Sequence, residues 1–284
     1  MSERGCLYLV PTPIGNLDDI TYRAITTLKE VDIVACEDTR VTMKLCRRFQ
    51  IETQLVSYHE HNKRMQGKRL LQLLEEGKNI ALVSDAGTPA ISDPGSELVK
   101  ACIEKDIKVV PLPGPNAAIT ALIASGLYER HFYFYGFLPR QKKERNKELE
   151  RLTFIRDPII FYEAPHRLMD TLEAMLNIFG NRKAVLAREL TKRYEEFIRG
   201  TLKQLYDWTQ AHEVRGEFCL IVEGGQNEQL RESNWWESLS IIEHVDHYIT
   251  NENLSVKEAA KRVASERDMP KREVYRMYHE NEKA

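Results

Sequence analysis

Residues 80–89 read IALVSDAGTP, an apolar run that passes directly into small and turn-forming residues. The run Ile80–Val83 is short and continuous, which is typical of a strand buried on both faces of a sheet. Similar runs occur at 6–10, 31–36, 54–58 and 108–111. Stretches with the apolar spacing of helices separate these runs. The alternation predicts an α/β fold with a mostly parallel sheet in its N-terminal domain.

A second domain is indicated beyond residue 137. An aromatic run at 131–137 gives way to a basic stretch, and this break predicts an N-terminal domain over 1–137 and a linker over 138–157. The later pattern predicts a second, α+β domain over 138–225 and, after the polar stretch 226–234, a small helical C-terminal unit over 226–284. Strand-like runs lie at 159–162, 183–188, 195–198 and 218–222, and helical patterns lie at 167–179 and 202–211.

Composition limits the classes of function. The chain has 284 residues, of which 42% are hydrophobic and 30% charged, as in a globular protein of roughly two domains. Because we find neither a signal-peptide layout at 1–10 nor an apolar run of roughly 20 residues, we expect a cytoplasmic protein without membrane contact. The five cysteines form no Cys-x-x-Cys pair. We therefore expect reduced, mostly buried thiols rather than disulfides or a zinc site.

Any contact with RNA is expected to be local, because the net charge is −2. DNA is not an expected partner. In the stretch 140–156, seven basic residues outnumber three acidic ones. The candidates for RNA contact in this stretch are Arg140, Lys142, Lys143 and Arg145. An ordinary solvated helix face is the alternative explanation of the same charges.

The C-terminal residues provide a second candidate RNA contact. A helical pattern at 255–264 is followed by a new helix that begins at 268–270, and this spacing resembles a helix-turn-helix. The second helix would present Lys271, Arg272 and Arg276 to phosphates, while Val274, Tyr275 and Tyr278 pack inward. A plain helical cap on the protein is the alternative.

Turn-forming loops follow three strands of the predicted parallel sheet. They are 11–17 (PTPIGNL), 84–89 (SDAGTP) and 111–120 (PLPGPNAAIT). Because the carboxyl ends of parallel strands meet at one edge, we expect these loops to form a ligand site. Neither the Walker pattern nor Gly-x-Gly-x-x-Gly is present, which disfavours ATP and NAD. Exposed backbone groups could hold an amino-acid zwitterion, with Asp85 near a positive charge. Plain turns and N-capped helices are the alternative, with Asn116 as one cap and Ser96 or Asp93 as another.

Ionisable residues follow the other two strands. Glu37, Asp38 and Arg40 follow one, and His59 and Glu60 follow the other. Solvated salt bridges are the alternative for the first group. His59 and His61 would point the same way in a strand, but no further histidine or cysteine lies nearby in sequence, so no metal is expected.

Several segments resemble a known family. The segments 10–17, 37–40, 84–89 and 111–115 are similar to the signatures of the ribosomal RNA small subunit methyltransferase I family, as are 161–167 (FYEAPHR) and 187–192 (ARELTK). The resemblance spans about residues 5–224. It implies the two-domain fold of the tetrapyrrole-methylase superfamily, S-adenosylmethionine as cofactor and usually a homodimer. It also implies 2′-O-methylation of a cytidine in 16S ribosomal RNA of the small ribosomal subunit. Pro11, Thr12 and Pro13 replace the Gly-rich turn of tetrapyrrole methylases, which disfavours a tetrapyrrole substrate.

The resemblance and the loops together give a set of candidate site residues. The loops supply predicted cofactor contacts, and the resemblance adds walls against adenosine. The first group is Pro13, Ser84, Asp85, Ala86, Gly87, Pro89, Ala117, Ala118 and Thr120, and the second is Tyr162, Ala187, Leu190 and Gly216. A base near the 2′-hydroxyl would help the transfer, and Asp38, Glu37, His59 and Glu60 remain open for that role. Asp38 and Arg40 are expected to face the ribose.

Two other functions fit parts of this pattern. A methyltransferase acting on a tetrapyrrole or on a protein side chain would share the fold and cofactor, but it would not need the basic stretches. A non-catalytic ribosome-binding factor would keep the basic stretches but would not bind S-adenosylmethionine.

Overall fold

The computed structural model describes residues 4–128, 130–225, 236, 239–267 and 269–281. The chain divides into two compact units, Met1–Gly225 and Gln226–Ala284. Each unit is described by itself. Within the described residues, no helix is both long enough and apolar enough to cross a membrane.

A parallel sheet organises the first part of the larger unit. Its strands are β1 (Cys6–Leu9), β2 (Ile33–Cys36), β3 (Gln54–Ser57), β4 (Ile80–Val83) and β5 (Lys108–Pro111). The strand order is β3-β2-β4-β1-β5, and each neighbouring pair is parallel. This confirms the predicted parallel α/β arrangement.

Helices cover both faces of this sheet, which explains the continuous apolar strands. The helices are α1 (Tyr22–Glu30), α2 (Thr39–Phe49), α3 (Lys63–Glu75) and α4 (Ser96–Glu104). The helix that follows β5, α5 (Ala117–Ser125), packs instead against the second sheet, in a cluster with Ile160 and Ile221. Ile80 and Leu82 pack in one cluster with Leu74, whereas Ala81 and Val83 pack in another cluster on the opposite face. Alternate residues of β4 are therefore buried on both faces, as parallel strands require.

A mixed sheet organises the second part of the larger unit. Its strands are β6 (Tyr133–Phe137), β7 (Ile159–Glu163), β8 (Lys183–Arg188), β9 (Glu196–Thr201) and β10 (Phe218–Val222). The order is β6-β7-β10-β8-β9, in which β6 and β7 are parallel and the other pairs antiparallel. The helices are α6 (Lys142–Leu152), α7 (Pro165–Phe179) and α8 (Leu202–Ala211).

The structure corrects the expected junction between the two sheets. Residues 133–137, predicted for the N-terminal domain, form β6 in the second sheet. The predicted linker 138–157 contains α6, which buries Arg145, Leu149 and Leu152. These positions share one face of a helix. Leu149 and Leu152 join the core of the second sheet. The linker interpretation was wrong because the surrounding charges hid a narrow apolar stripe.

The smaller unit consists, in its described residues, of α9 (Ile241–Glu252), α10 (Val256–Glu266) and α11 (Lys271–Asn281). Val245, Val263 and Val274 form part of its core. The predicted polar stretch 226–234 and Asp268 lie outside the described residues.

The inward face of α11 differs in part from the prediction. Val274 is buried, and the partly buried Tyr278 donates a hydrogen bond to Asp246 at 2.6 Å. Tyr275, predicted to pack inward, is 40% exposed. The reason is helical spacing, because residues 274 and 278 share a face from which residue 275 is rotated away.

Candidate functional site

A large cavity lies at the carboxyl ends of the parallel strands and extends to the second sheet. Its volume is about 610 Å³, which lies in the range of small-molecule sites. The first half of the larger unit contributes Ile14, residues 85–88 and Ala117, and the second half contributes Tyr162, Leu190 and Cys219, among others. We call it the main cavity.

Hydrogen bonds join the three loops that form one side of the main cavity. Thr12 and Gly87 exchange a pair of backbone hydrogen bonds of 3.0 and 2.9 Å. The Thr12 hydroxyl donates to the carbonyl of Ser84, and the Ser84 hydroxyl donates to that of Gly87. Thr88 donates to the carbonyl of Pro115 at 3.0 Å. The loops after β1, β4 and β5 therefore form one connected wall.

Tyr162 links the second sheet to this wall. Its hydroxyl accepts a hydrogen bond from the backbone N–H of Ala118 at 3.1 Å, at the start of α5. Burial raises the pKa of Tyr162 to about 12, so the hydroxyl keeps its proton and can still donate. Burial likewise raises the pKa of Cys219 to about 12, which leaves a neutral thiol in the cavity wall.

A buried polar network fixes the segment FYEAPHR beside the main cavity. The Glu163 side chain is 1% exposed and lies 3.4 Å from the Nε of Arg167. It also accepts hydrogen bonds from the Thr171 hydroxyl and from the backbone N–H of Ala164. Arg167 donates to the carbonyl of Leu138, just after β6. This network holds the beginning of α7 against the end of β6.

Carboxylates gather at the edge of the parallel sheet. The backbone N–H of Asp38 donates to the Oδ1 of Asp85 at 3.0 Å. Burial, followed by the charge of Asp93, raises the pKa of Glu37. Burial, followed by the charge of Asp85, raises the pKa of Asp93. In contrast, hydrogen bonds from Arg40 lower the pKa of Asp38 to about 2. This edge is therefore suited to a positively charged ligand.

A second cavity of about 350 Å³ lies beside the main one, and we call it the side cavity. It is lined by Glu37, Glu60, Lys63 and residues 90–97. Ile91, Ser92 and Asp93 line both cavities. The two spaces are therefore neighbours that share the segment 91–93.

The structure brings about half of the predicted cofactor contacts to the main cavity. Those that line it are Asp85, Ala86, Gly87, Ala117, Tyr162, Ala187 and Leu190. Pro13, Ser84, Pro89, Ala118, Thr120 and Gly216 are not among its lining residues. Ser84 supports the wall through its hydrogen bonds, whereas Gly216 lines a separate surface hollow with Arg188 and Glu189.

The predicted catalytic residues lie in different surroundings. Glu37 and Glu60 line the side cavity, and Asp38 caps the beginning of α2. The Arg40 side chain is 87% exposed and pairs with Asp38 at 2.6 Å. The Nδ1 of His59 is buried without a hydrogen-bond partner among the described residues. No cluster of three or more His, Cys, Asp or Glu side chains in the described ranges could hold a metal ion.

Asp93 is a site residue that the sequence analysis missed. The sequence suggested Asp93 or Ser96 as the cap of α4, but Gly95 occupies the cap position and α4 begins at Ser96. This frees Asp93 to line both cavities. The available signal was the Asp-Pro-Gly turn at 93–95, which closely follows the loop 84–89 after β4.

The predicted RNA contacts are exposed with one exception. Arg140, Lys142 and Lys143 are exposed around the beginning of α6, and Lys271, Arg272 and Arg276 are exposed on α11. Arg145 is only 7% exposed. Its place on the buried face of α6 removes it from the predicted RNA contact.

Comparisons with known proteins agree with this architecture. Residues 6–206 match the family described as Tetrapyrrole (Corrin/Porphyrin) Methylases. Ribosomal RNA small subunit methyltransferase I of Bacillus subtilis is 60% identical over 279 residues, which cover 98% of this chain and 95% of the relative. The protein of the same name from Halalkalibacterium halodurans is 58% identical over 278 residues, covering 98% and 96%.

A solved structure shares the fold at lower identity. Uroporphyrin-III C-methyl transferase from Thermus thermophilus, complexed with S-adenyl homocysteine, superposes with a TM-score of 0.54 at 19% identity. The match covers 77% of this chain and 97% of that chain. At this identity the likeness concerns the fold.

Proposed function

We propose, because this chain belongs to the tetrapyrrole methylase family, that it methylates the 2′-hydroxyl of a cytidine in small-subunit 16S ribosomal RNA with S-adenosylmethionine. The structural observation that carries the proposal is the main cavity, whose loops and carboxylates suit this cofactor. The substrate class is supported by relatives that are 58–60% identical over nearly the whole chain and are called ribosomal RNA small subunit methyltransferase I.

The residues of the main cavity fit S-adenosylmethionine. The cofactor supplies, when bound, an electrophilic methyl group on a positively charged sulfonium. Ile14, Ala187 and Leu190 would provide apolar walls for its adenosine. Asp85 and Asp93 would provide negative charge for its cationic groups. The protein's main contribution would be to align the acceptor oxygen and to keep bulk water out.

Asp93 is the best-placed proton acceptor for the ribose hydroxyl. It lines both cavities, and its raised pKa makes it a stronger base than an ordinary aspartate. Asp38 has a pKa of about 2, so it is a weak base. Glu60 is already paired with Lys63 at 2.9 Å. Asp93 would therefore take the proton of the 2′-hydroxyl. The cofactor would supply the methyl group, with its carbon–sulfur bond broken and S-adenosylhomocysteine as the leaving group.

Exposed basic side chains would position the RNA. Arg140, Lys142 and Lys143 form no ion pair with another described residue. Their charges are available to phosphates, as are those of the exposed Lys271 and Arg272 in the smaller unit. Such contacts would hold the small ribosomal subunit without a strongly basic protein overall.

A homodimer in the cytoplasm completes the proposal. The support is a set of exposed apolar side chains on and after α5, in which Ile119 is 43%, Ile123 71% and Tyr128 45% exposed. Large apolar side chains grouped on a surface are typical of protein interfaces. A second copy of the chain would cover them.

Nucleoside mass spectrometry of small-subunit RNA, from cells with and without the protein, tests the function. We expect one 2′-O-methylcytidine to disappear without the protein and to return with the wild-type chain but not with Asp93→Asn. An unchanged nucleoside composition would contradict the proposal. Calorimetry that shows no heat with S-adenosylmethionine would instead support a non-catalytic ribosome-binding factor.

A further inference from the structure

The side cavity has a composition that differs from that of a phosphate site. Glu37, Glu60, Asp93 and Glu97 contribute carboxylates, whereas Lys63 is its basic side chain. A cavity with this excess of negative charge repels phosphate. It favours a group that donates hydrogen bonds.

Ion pairing within the side cavity leaves Glu37 available. Lys63 lies 2.9 Å from Glu60 and 2.8 Å from Glu97, so its charge is already shared between these two carboxylates. Asp93 lies in the segment that the side cavity shares with the main cavity. No described residue donates a hydrogen bond to the half-buried Glu37 side chain. Its acceptor capacity is therefore free for a ligand.

Backbone donors also border the side cavity. Gly95 and Ser96 line it, and no side chain among the described residues caps α4 at that point. The first amide N–H groups of a helix have no partner within the helix. The side cavity thus combines a carboxylate acceptor with backbone donors, which is the pattern that an amino-bearing pyrimidine edge requires.

The position of the side cavity indicates which part of an RNA it would take. It shares Ile91, Ser92 and Asp93 with the main cavity. A ribose at this shared segment would have the methyl donor on one side and its own base on the other. Enzymes that modify a nucleotide within RNA commonly draw it out of the stack and read its base in a pocket.

We infer that the side cavity receives the base of the methylated nucleotide and that Glu37 accepts a hydrogen bond from its exocyclic amino group. This inference rests on the proposed function, since it assumes an RNA ribose at the shared segment. Cytosine carries an amino group at the position where uracil carries a carbonyl oxygen. With uracil, two acceptors would face each other and the carboxylate would lose its partner. Glu37 thereby selects cytosine over uracil.

The test measures base preference directly, by fluorescence anisotropy of labelled hexamers of cytidine and of uridine, with S-adenosylhomocysteine present. We expect the wild-type chain to bind oligocytidine roughly tenfold more tightly than oligouridine, since a site built for hydrogen bonding rejects an analogue that lacks the donor. Glu37→Gln keeps the shape but can donate, so the ratio should fall below about threefold. Glu52→Gln, an exposed site before β3, is the matched charge control and should keep the wild-type ratio.

A second variant tests the cavity itself. Ser96→Phe places a ring in the side cavity and should weaken the binding of both hexamers at least roughly tenfold. The affinity for S-adenosylhomocysteine, measured by calorimetry, should stay unchanged. Equal binding of the two hexamers by the wild type, or a ratio that survives Glu37→Gln, would overturn the inference. Methylation of small subunits from cells lacking the protein tests the proposed function separately. If that transfer occurs while the hexamer results fail, only the base-site inference is lost.

Discussion

Replacement of Gly87 by alanine should weaken cofactor binding by a route that the structure makes measurable. Gly87 has a φ of +80°, in the left-handed region, and it lies in the wall of the main cavity. A Cβ atom at this position would lie 3.2 Å from Cγ2 of Ile14. Ile14 would have to move by a few tenths of an ångström. The free direction for that movement is the cavity that Ile14 also lines.

Two costs follow from this geometry. An L-residue in the left-handed region loses about 1–2 kcal/mol of folding free energy, which lowers Tm by about 2–8 °C for a unit of this size. A bound cofactor would also force Ile14 back from its displaced position. An off-rotamer side chain costs about 0.5–1.5 kcal/mol, which corresponds to a rise of roughly 2- to 12-fold in Kd.

Gly126→Ala separates the two costs. Gly126 has a φ of +76°, close to that of Gly87, but a Cβ atom there would have nothing within 4 Å. Both variants should therefore lose Tm in scanning fluorimetry, while only Gly87→Ala should raise the Kd for S-adenosylhomocysteine in calorimetry. Unchanged affinity in a folded Gly87→Ala protein would refute our placement of the cofactor against this wall.

Three further outcomes are expected. Glu163→Ala should lower the free energy of unfolding by about 3–5 kcal/mol, since Arg167 would lose its buried partner; urea unfolding that shows no loss would contradict this. Asp93→Asn should raise Tm at pH 7 but hardly change it near pH 3.5. The folded protein raises the pKa of Asp93, so the ionised carboxylate lowers stability only at a pH above the pKa that this group has in the unfolded chain. A lower Tm at pH 7 would refute the assigned cause. Lys271→Glu with Arg272→Glu should weaken binding to the small subunit and reduce its salt dependence, with S-adenosylmethionine affinity unchanged; unchanged subunit binding would favour a plain helical cap.

Patterns that depend on many residues were the most predictable part of the fold. The buried strands of the parallel sheet follow from continuous apolar runs such as Ile80–Val83, because burial on both faces leaves no polar position in the strand. The sequence analysis treated residues 138–157 as a linker, with a solvated helix face as the alternative for their charges. The buried face of α6 was missed because Leu149 and Leu152 are outnumbered by charged neighbours. Arg145 was predicted to be an exposed RNA contact because it is charged. It is buried because it lies four residues before Leu149 and therefore on the same face of α6.

Single residues at loop positions were harder to predict than strands. Asp93 resembled a helix cap, and only the observed cap at Gly95 shows that its side chain faces the cavities instead. Both Asp93 and Gly95 are residue types that commonly precede a helix, so the sequence alone could not decide which of the two occupies the cap position. The convergence of the loops after β1, β4 and β5 was predictable because parallel strands end at a common edge.

The carboxylate edge of the site is a consequence of strand order rather than of any motif. Strands β2 and β4 are neighbours in the sheet although β3 lies between them in the chain. Their register pairs Cys36 with Val83, so the residues that follow each strand emerge side by side. This explains why the backbone of Asp38 reaches the carboxylate of Asp85 across 47 positions of sequence. The same strand order brings Asp93 near Glu37 and Asp85, so that charge repulsion adds to burial in raising the pKa of Glu37 and of Asp93. A fold with β2 at another place in the sheet would keep every motif and lose this charge cluster, and with it the physical basis of the proposed proton transfer and base selection.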